Sequence, residues 1–298
     1  MTTTYLLVGH GSRGPNGNVD TERFAQLWRQ RHPERRIALC YIEYAETLLA
    51  AGLDQAAEGA QKVVLLPVIL NTAGHVKQDL PQAVAAAKAR HPAVEFVITP
   101  ALGMGAAMFA VLQEALRGLQ QELAQPDPQT TGVILLGRGS SDAGANGELA
   151  KMARWLFEAN DHQLVDLAFT GVTWPRLETV VQRQVRLGMM QIAIVPAYLF
   201  SGVLIERIAA QVARLRAQYP QIHFVLSAPL GFAPGIFALL DQRAAQADAQ
   251  APGAPEIDAP AQLCGGHSHH SHHSHEHHHH HHSHASSACA HHHSHSHS

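Results

Sequence analysis

The chain has 298 residues, 46% of them apolar, which is enough for one large or two ordinary globular domains; a formal charge of −3 counts against a nucleic-acid or membrane-surface binder. The longest apolar stretches, VVLLPVIL and IAIVPAYLF, fall far short of the roughly 20 residues a membrane span needs, and each contains a proline. Cys40, Cys264 and Cys289 do not make a disulfide framework, and the first residues lack a basic start followed by a long apolar run, so the expectation is a reduced, cytoplasmic protein.

In chain order, YLLVG (5–9), RIALCYIE (36–43), KVVLLPVIL (62–70) and EFVITP (95–100) read as strands. They are continuous apolar runs rather than alternating ones, as expected of strands covered on both faces. Between them FAQLWRQRH, TLLAAGLDQAAEGA and LPQAVAAAKARH carry apolar residues at helical spacing. Strand alternating with helix predicts right-handed βαβ units and a parallel sheet. The pattern then repeats. Gly9, Gly11, Ser12 and Asn18 match Gly137, Gly139, Ser140 and Asn146, an offset of 128, and FVITPALGMGAAMFAVL matches FVLSAPLGFAPGIFALL at the same offset. VVLLPVIL matches IAIVPAYL within one residue of it. One offset along the whole length predicts an internal duplication: two tandem doubly wound α/β domains, at 1–122 and 131–245, joined near QELAQPDPQTT. Residues 246–298 change character. An Ala/Pro linker leads into a His/Ser tract that holds 18 of the chain's 24 histidines, a composition too poor in apolar side chains to form a core and predicted to be disordered.

In open parallel sheets ligands bind beyond the carboxyl ends of the strands. His10 follows the first predicted strand in GHGSRG, and His75 follows the third in LPVILNTAGHVKQDLP, so both fall on one edge of the sheet among small residues that let a ligand approach the backbone. The second repeat has Arg138 at the place of His10 and Val203 at the place of His75. A purely architectural role would be expected in both halves, so the pair reads as a site of the first repeat with the second as opposing wall. Imidazole suits Co²⁺, Ni²⁺, Fe²⁺ and Zn²⁺ and takes a proton near neutral pH. Two histidines without a thiolate make a site from which metal can leave again, which favours transfer over structural binding. GHGSRG is neither a nucleophile elbow nor a P-loop. Gly9, Gly11 and Gly14 match GxGxxG in form, but no acidic residue ends a second strand at the distance a dinucleotide site requires.

GHGSRG at the start, together with LNTAGHVKQDLP after the third strand, resembles the CbiX/SirB family of class II chelatases, and the resemblance, to its long-form CbiX members, covers residues 1–245. It implies two chelatase-like α/β domains facing each other across a cleft, and ATP-independent insertion of Co²⁺ into sirohydrochlorin on the anaerobic route to cobalamin. It also implies His10 and His75 as metal ligands, His10 as proton acceptor, and Glu46 with Leu70, Asn71, Thr72, Ala73, Gly74 and His75 as tetrapyrrole contacts. Sirohydrochlorin carries eight carboxylates, for which Arg13, Lys77 and Arg138 on predicted cleft loops are candidate partners. Cys264 and Cys289, 25 residues apart with no CxxC, predict no Fe–S cluster. The His-rich tail, a feature of several family members, is expected to bind divalent metal exchangeably and to release it as imidazoles protonate. A monomer and a homodimer both remain open, and so does the choice between Co²⁺, Fe²⁺ and Ni²⁺. The rival from another class is a metal-storage or metal-chaperone protein, which accounts for the tail but not for the paired histidines.

Overall fold

A computed structural model describes residues 2–14, 17–70, 76–123 and 126–249, all within one compact unit that spans Met1–Ala259. Of the expected tail, residues 246–249 end the last helix, and 250–298 lie outside the described residues. The first repeat contains β1 (Thr3–Gly9), α1 (Val19–Arg31), β2 (Arg36–Tyr41), α2 (Leu49–Ala57), β3 (Lys62–Pro67), α3 (Val76–Arg90), β4 (Glu95–Ile98) and α4 (Ala106–Glu122). The second contains β5 (Thr131–Gly137), α5 (Ala143–Glu158), β6 (Val165–Phe169), α6 (Leu177–Arg186), β7 (Gln191–Pro196), α7 (Val203–Gln218), β8 (His223–Leu226) and α8 (Pro234–Ala249). Each repeat makes one wholly parallel four-stranded sheet, ordered β2-β1-β3-β4 and β6-β5-β7-β8. The doubly wound α/β class read from the sequence is the class observed. Helix α3 begins at Val76, ahead of the predicted Leu80, and takes Pro81 into its body.

The strands read as continuous apolar runs because alternate residues enter different cores. From β1, Tyr5 and Leu7 face a core shared by both repeats, while Leu6 and Val8 face a core covered by α2 and α3. In the second repeat Val133 and Leu135 enter the shared core, and Ile134 and Leu136 pack under α6 and α7. The shared core is filled by α1, α4, α5 and α8, which contribute Phe24 and Trp28, Met108 and Leu112, Met152 and Leu156, and Phe237 and Leu240.

The last helix of each repeat is exchanged. Helix α4 packs on β7 and β8 of the second sheet, and α8 packs on β3 of the first. Polar contacts hold α8 in place: Tyr5 Oη donates to Asp248 at 2.6 Å, Lys62 Nζ to the Ala247 carbonyl at 2.8 Å, and Trp28 Nε1 to Asp241 at 2.7 Å. The two sequence repeats thus complete each other's inner layer. No helix among the described residues is long and apolar enough to cross a membrane.

Candidate functional site

In a sheet ordered 2-1-3-4 the connections leave β1 and β3 in opposite directions, so the topological switch point lies between those two strands. The loop after β1 carries His10, and the segment after β3 leads to His75. Sequence reasoning expects both on one edge; the strand order makes β1 and β3, from which the two segments leave, direct neighbours. His75, Asn71, Thr72, Ala73, Gly74 and the side chain of Lys77 lie outside the described residues. Leu70 is half-buried against the shared core, and its carbonyl accepts from Gly103 N–H at 2.9 Å.

Strand β1 ends at Gly9 because the Tyr41 ring occupies the space a side chain would need: a Cβ there would sit 2.9 Å from the ring. Two residues on, Gly11 has φ +91°, and a Cβ would lie 1.7 Å from the Glu43 carbonyl oxygen, so only glycine fits on both counts. This close approach draws the end of β2 against the His10 loop. Glu43 N–H donates to the His10 carbonyl at 3.1 Å, and the Glu43 carboxylate comes to 3.4 Å from His10 Nδ1. Both side chains are about one-third exposed, at 35% and 32%. A carboxylate at Nδ1 orients the imidazole ring.

Beside this pair opens a cleft of about 800 Å³ lined by Ser12, Arg13, Asn18, Tyr41, Tyr44 and Glu46, among others. Glu46 is exposed on the loop between β2 and α2. Arg13 is exposed too; its guanidinium stacks 4.4 Å from the Tyr44 ring centroid and donates to the Tyr44 hydroxyl. Asn18 ties the two walls through a 3.0 Å bond to the Tyr44 carbonyl. The second repeat closes in from the far side. Ser201 N–H donates to the Asp20 carboxylate at 2.9 Å, and a Cβ on Gly14 would lie 3.3 Å from Val203. The loops beyond β1 and β7 therefore touch. Arg138 is exposed after β5, and its carbonyl accepts from Gly171 N–H at 3.0 Å.

Sequence reasoning did not single out Glu43 or Tyr41. Tyr41 is 5% exposed, and its hydroxyl finds no hydrogen-bond partner among the described residues. Burial is the main cause that pushes this phenol up to about 12, so it stays protonated and offers a donor. The internal repeat carries the signal for both. Paired strands align Tyr41 with Phe169, and matching loop hydrogen bonds align Glu43 with Gly171. Like the histidines, the hydroxyl and the carboxylate exist only in the first repeat.

Three other described histidines, His162, His32 and His91, are accounted for by structure. His162 Nδ1 meets the Thr131 carbonyl at 2.9 Å and Nε2 meets Gln120 at 2.9 Å, which requires the Nδ1–H tautomer and pins α4 to the second repeat. His32 pairs with Asp241 and His91 with Asp54, at 2.7 and 2.8 Å. Among the described residues no group of three His, Cys, Asp or Glu side chains is poised to hold a metal.

Comparison with known proteins gives concordant matches. A family model described as CbiX matches twice, over residues 4–119 and 132–247. A sirohydrochlorin cobaltochelatase of Priestia megaterium is 36% identical over 240 residues, 80% of this chain and 78% of that protein. A sirohydrochlorin ferrochelatase of the same organism is 26% identical over 239 residues, 80% of this chain and 88% of that one. Among solved structures, SirB from Bacillus subtilis with Fe³⁺ superposes with a TM-score of 0.71 at 25% identity, over 84% of this chain and 96% of that chain.

Proposed function

The chain belongs to the CbiX family, and on that premise we propose that it is a class II tetrapyrrole chelatase that inserts Co²⁺ into sirohydrochlorin, without ATP, on the anaerobic route to cobalamin. The observation that carries the reading is the His10–Glu43 pair at the topological switch point. Cobalt is preferred as the metal because the cobaltochelatase relative is the more similar of the two Priestia proteins, at 36% against 26% identity.

Insertion exchanges two pyrrole N–H protons for one dication. In this reading the imidazoles of His10 and His75 hold the incoming Co²⁺, and Glu43 keeps the His10 ring oriented through Nδ1. As the ion passes to the pyrrole nitrogens, His10 Nε2 is released and accepts one of the two N–H protons, with the adjacent carboxylate stabilising the imidazolium, and the second proton passes to solvent. Glu46, Leu70 and residues 71–75 contact the macrocycle, and Arg13, Lys77 and Arg138 pair with its carboxylates. One chain supplies both walls, with residues 1–122 as the metal wall, 131–245 as the facing wall, and 246–298 as a cytoplasmic reservoir of exchangeable metal that carries no Fe–S cluster.

The test is anaerobic insertion followed by absorbance, with Co²⁺, Fe²⁺ or Ni²⁺ in turn, using the full chain and His10→Ala. Fastest turnover with Co²⁺ that collapses in the variant supports the reading. Fastest turnover with Fe²⁺ makes the protein a siroheme enzyme. Equal rates for variant and parent remove the site and favour a metal-storage role for the tail.

A further inference from the structure

The loop between β6 and α6 has no task in the scheme above, yet it is built unlike its counterpart. It superposes in hydrogen bonding on the loop between β2 and α2. Phe169 N–H reaches the Pro175 carbonyl as Tyr41 N–H reaches that of Thr47, and the isolated bridges Tyr41–Leu48 and Phe169–Arg176 correspond. Val172 and Tyr44 share the same left-handed backbone, at φ 61° and 54°. Position by position, His10 becomes Arg138, Glu43 becomes Gly171, Glu46 becomes Trp174 and Leu48 becomes Arg176. Metal-handling and acidic groups are replaced by an aromatic and two cations.

The geometry at this edge is specific. Trp174 is 69% exposed, the most exposed large apolar residue of those described, and Val172 beside it is 60% exposed. The Arg176 guanidinium lies 4.6 Å from the Trp174 ring centroid, and its Nη1, shielded from solvent, has no hydrogen-bond partner among the described residues. Gly171 sits between Arg176 Nη1 and the Arg138 backbone, since a Cβ there would lie 3.9 and 3.7 Å from them. A large indole left open on the surface and stacked with the Arg176 guanidinium, with Arg138 exposed on the adjoining β5 loop, suits a flat, conjugated, polyanionic ligand.

We infer that this loop is the macrocycle-holding wall of the site: Trp174 stacks on the conjugated ring of sirohydrochlorin, and Arg138 and Arg176 pair with its carboxylates, while the first repeat handles metal and protons. The inference rests on the chelatase reading and assigns Trp174 and Arg176 as substrate-positioning residues. It explains why the duplicated scaffold keeps the hydrogen bonds that anchor the loop but exchanges its side chains.

The experiment measures quenching of metal-free sirohydrochlorin fluorescence by the full chain, and KM for sirohydrochlorin and for Co²⁺ separately. Removing one stacking partner weakens such contacts by about ten-fold. Trp174→Ala is expected to raise the Kd and KM for sirohydrochlorin about ten-fold, with Trp174→Phe recovering most of the loss and KM for Co²⁺ unmoved. Arg138→Gln is expected to raise the same Kd about five-fold. Should Trp174→Ala fail to fold, Trp174→Phe and Arg138→Gln decide, an unchanged Kd in both overturning the inference. A Trp174→Phe as impaired as Trp174→Ala, or a Co²⁺ KM that rises in step, also overturns it. A parent chain that inserts metal while its variants bind sirohydrochlorin unchanged removes this inference alone. A parent chain that neither binds sirohydrochlorin nor inserts any metal removes the chelatase reading and this inference with it.

Discussion

The two repeats are one frame used for two purposes. Strands β1 and β2 pair as β5 and β6 do, residue for residue, with Gly9 opposite Tyr41 and Gly137 opposite Phe169. Gly11 and Gly139 both take positive φ, +91° and +85°, and each presses against a backbone carbonyl of the neighbouring loop. Side chains at the carboxyl edge differ: His10 against Arg138, Tyr41 against Phe169, Glu43 against Gly171, Glu46 against Trp174. A βα-loop conformation is set by turn geometry and sheet pairing, so it survives while the side chains it presents are free to diverge. The comparison separates residues that the fold demands from residues that only chemistry explains.

Breaking the chemical half of the comparison has the largest expected effect. His10→Ala removes the proposed proton acceptor and a metal ligand together and should lower the insertion rate by about 10³-fold, within the range for a lost general base. Arg138→Ala at the matching position should leave the rate constant within about ten-fold; equal losses would erase the asymmetry. The structural half is tested by Gly11→Ala and Gly139→Ala. Both force a Cβ into a backbone oxygen at positive φ, and each should cost at least about 2 kcal/mol, a Tm fall of roughly 4–8 °C. Comparable falls in the two variants would confirm that the frame is shared.

Glu43→Gln keeps shape and removes charge. It should weaken metal use by about 10–100-fold with little change in Tm, as expected when an orienting carboxylate is lost. The smallest effect belongs to Tyr41→Phe. Deleting a buried hydroxyl with no partner among the described residues should raise stability by up to about 1 kcal/mol, whereas Phe169→Tyr, which buries a new one, should lower it by about 1–3 kcal/mol. A Tyr41→Phe protein that gains stability but loses insertion would mark the hydroxyl as a substrate contact.

Much of the fold is legible in the residues. Glycine and proline punctuation, continuous apolar strands and helical periodicity place most of the first repeat's elements within a few residues of where they form. The β2 reading ran on to Glu43 because YIE looks like strand, whereas the structure ends the strand at Tyr41 and turns through Tyr44 at φ 54°. Read as strand, Glu43 is merely the last residue of a run, while in a loop packed on Gly11 it faces His10. Trp174 escaped notice for a related reason. An aromatic in sequence is by default a core residue, and nothing in TGVTWPR says that this one stands in solvent.

Local periodicity, and the comparison of one half of the chain with the other, encode the duplication and the α/β class, and they nominate one edge of the sheet and His10 for the proposed site. Tertiary structure alone decided the strand order that sets β1 beside β3, the pairing of His10 with Glu43, and the exchange of α4 and α8 between sheets. An apolar helix stripe or strand records that a face is buried, not what it is buried against. The partner is chosen by packing between segments as far apart as Tyr5 and Asp248, and no local pattern encodes it.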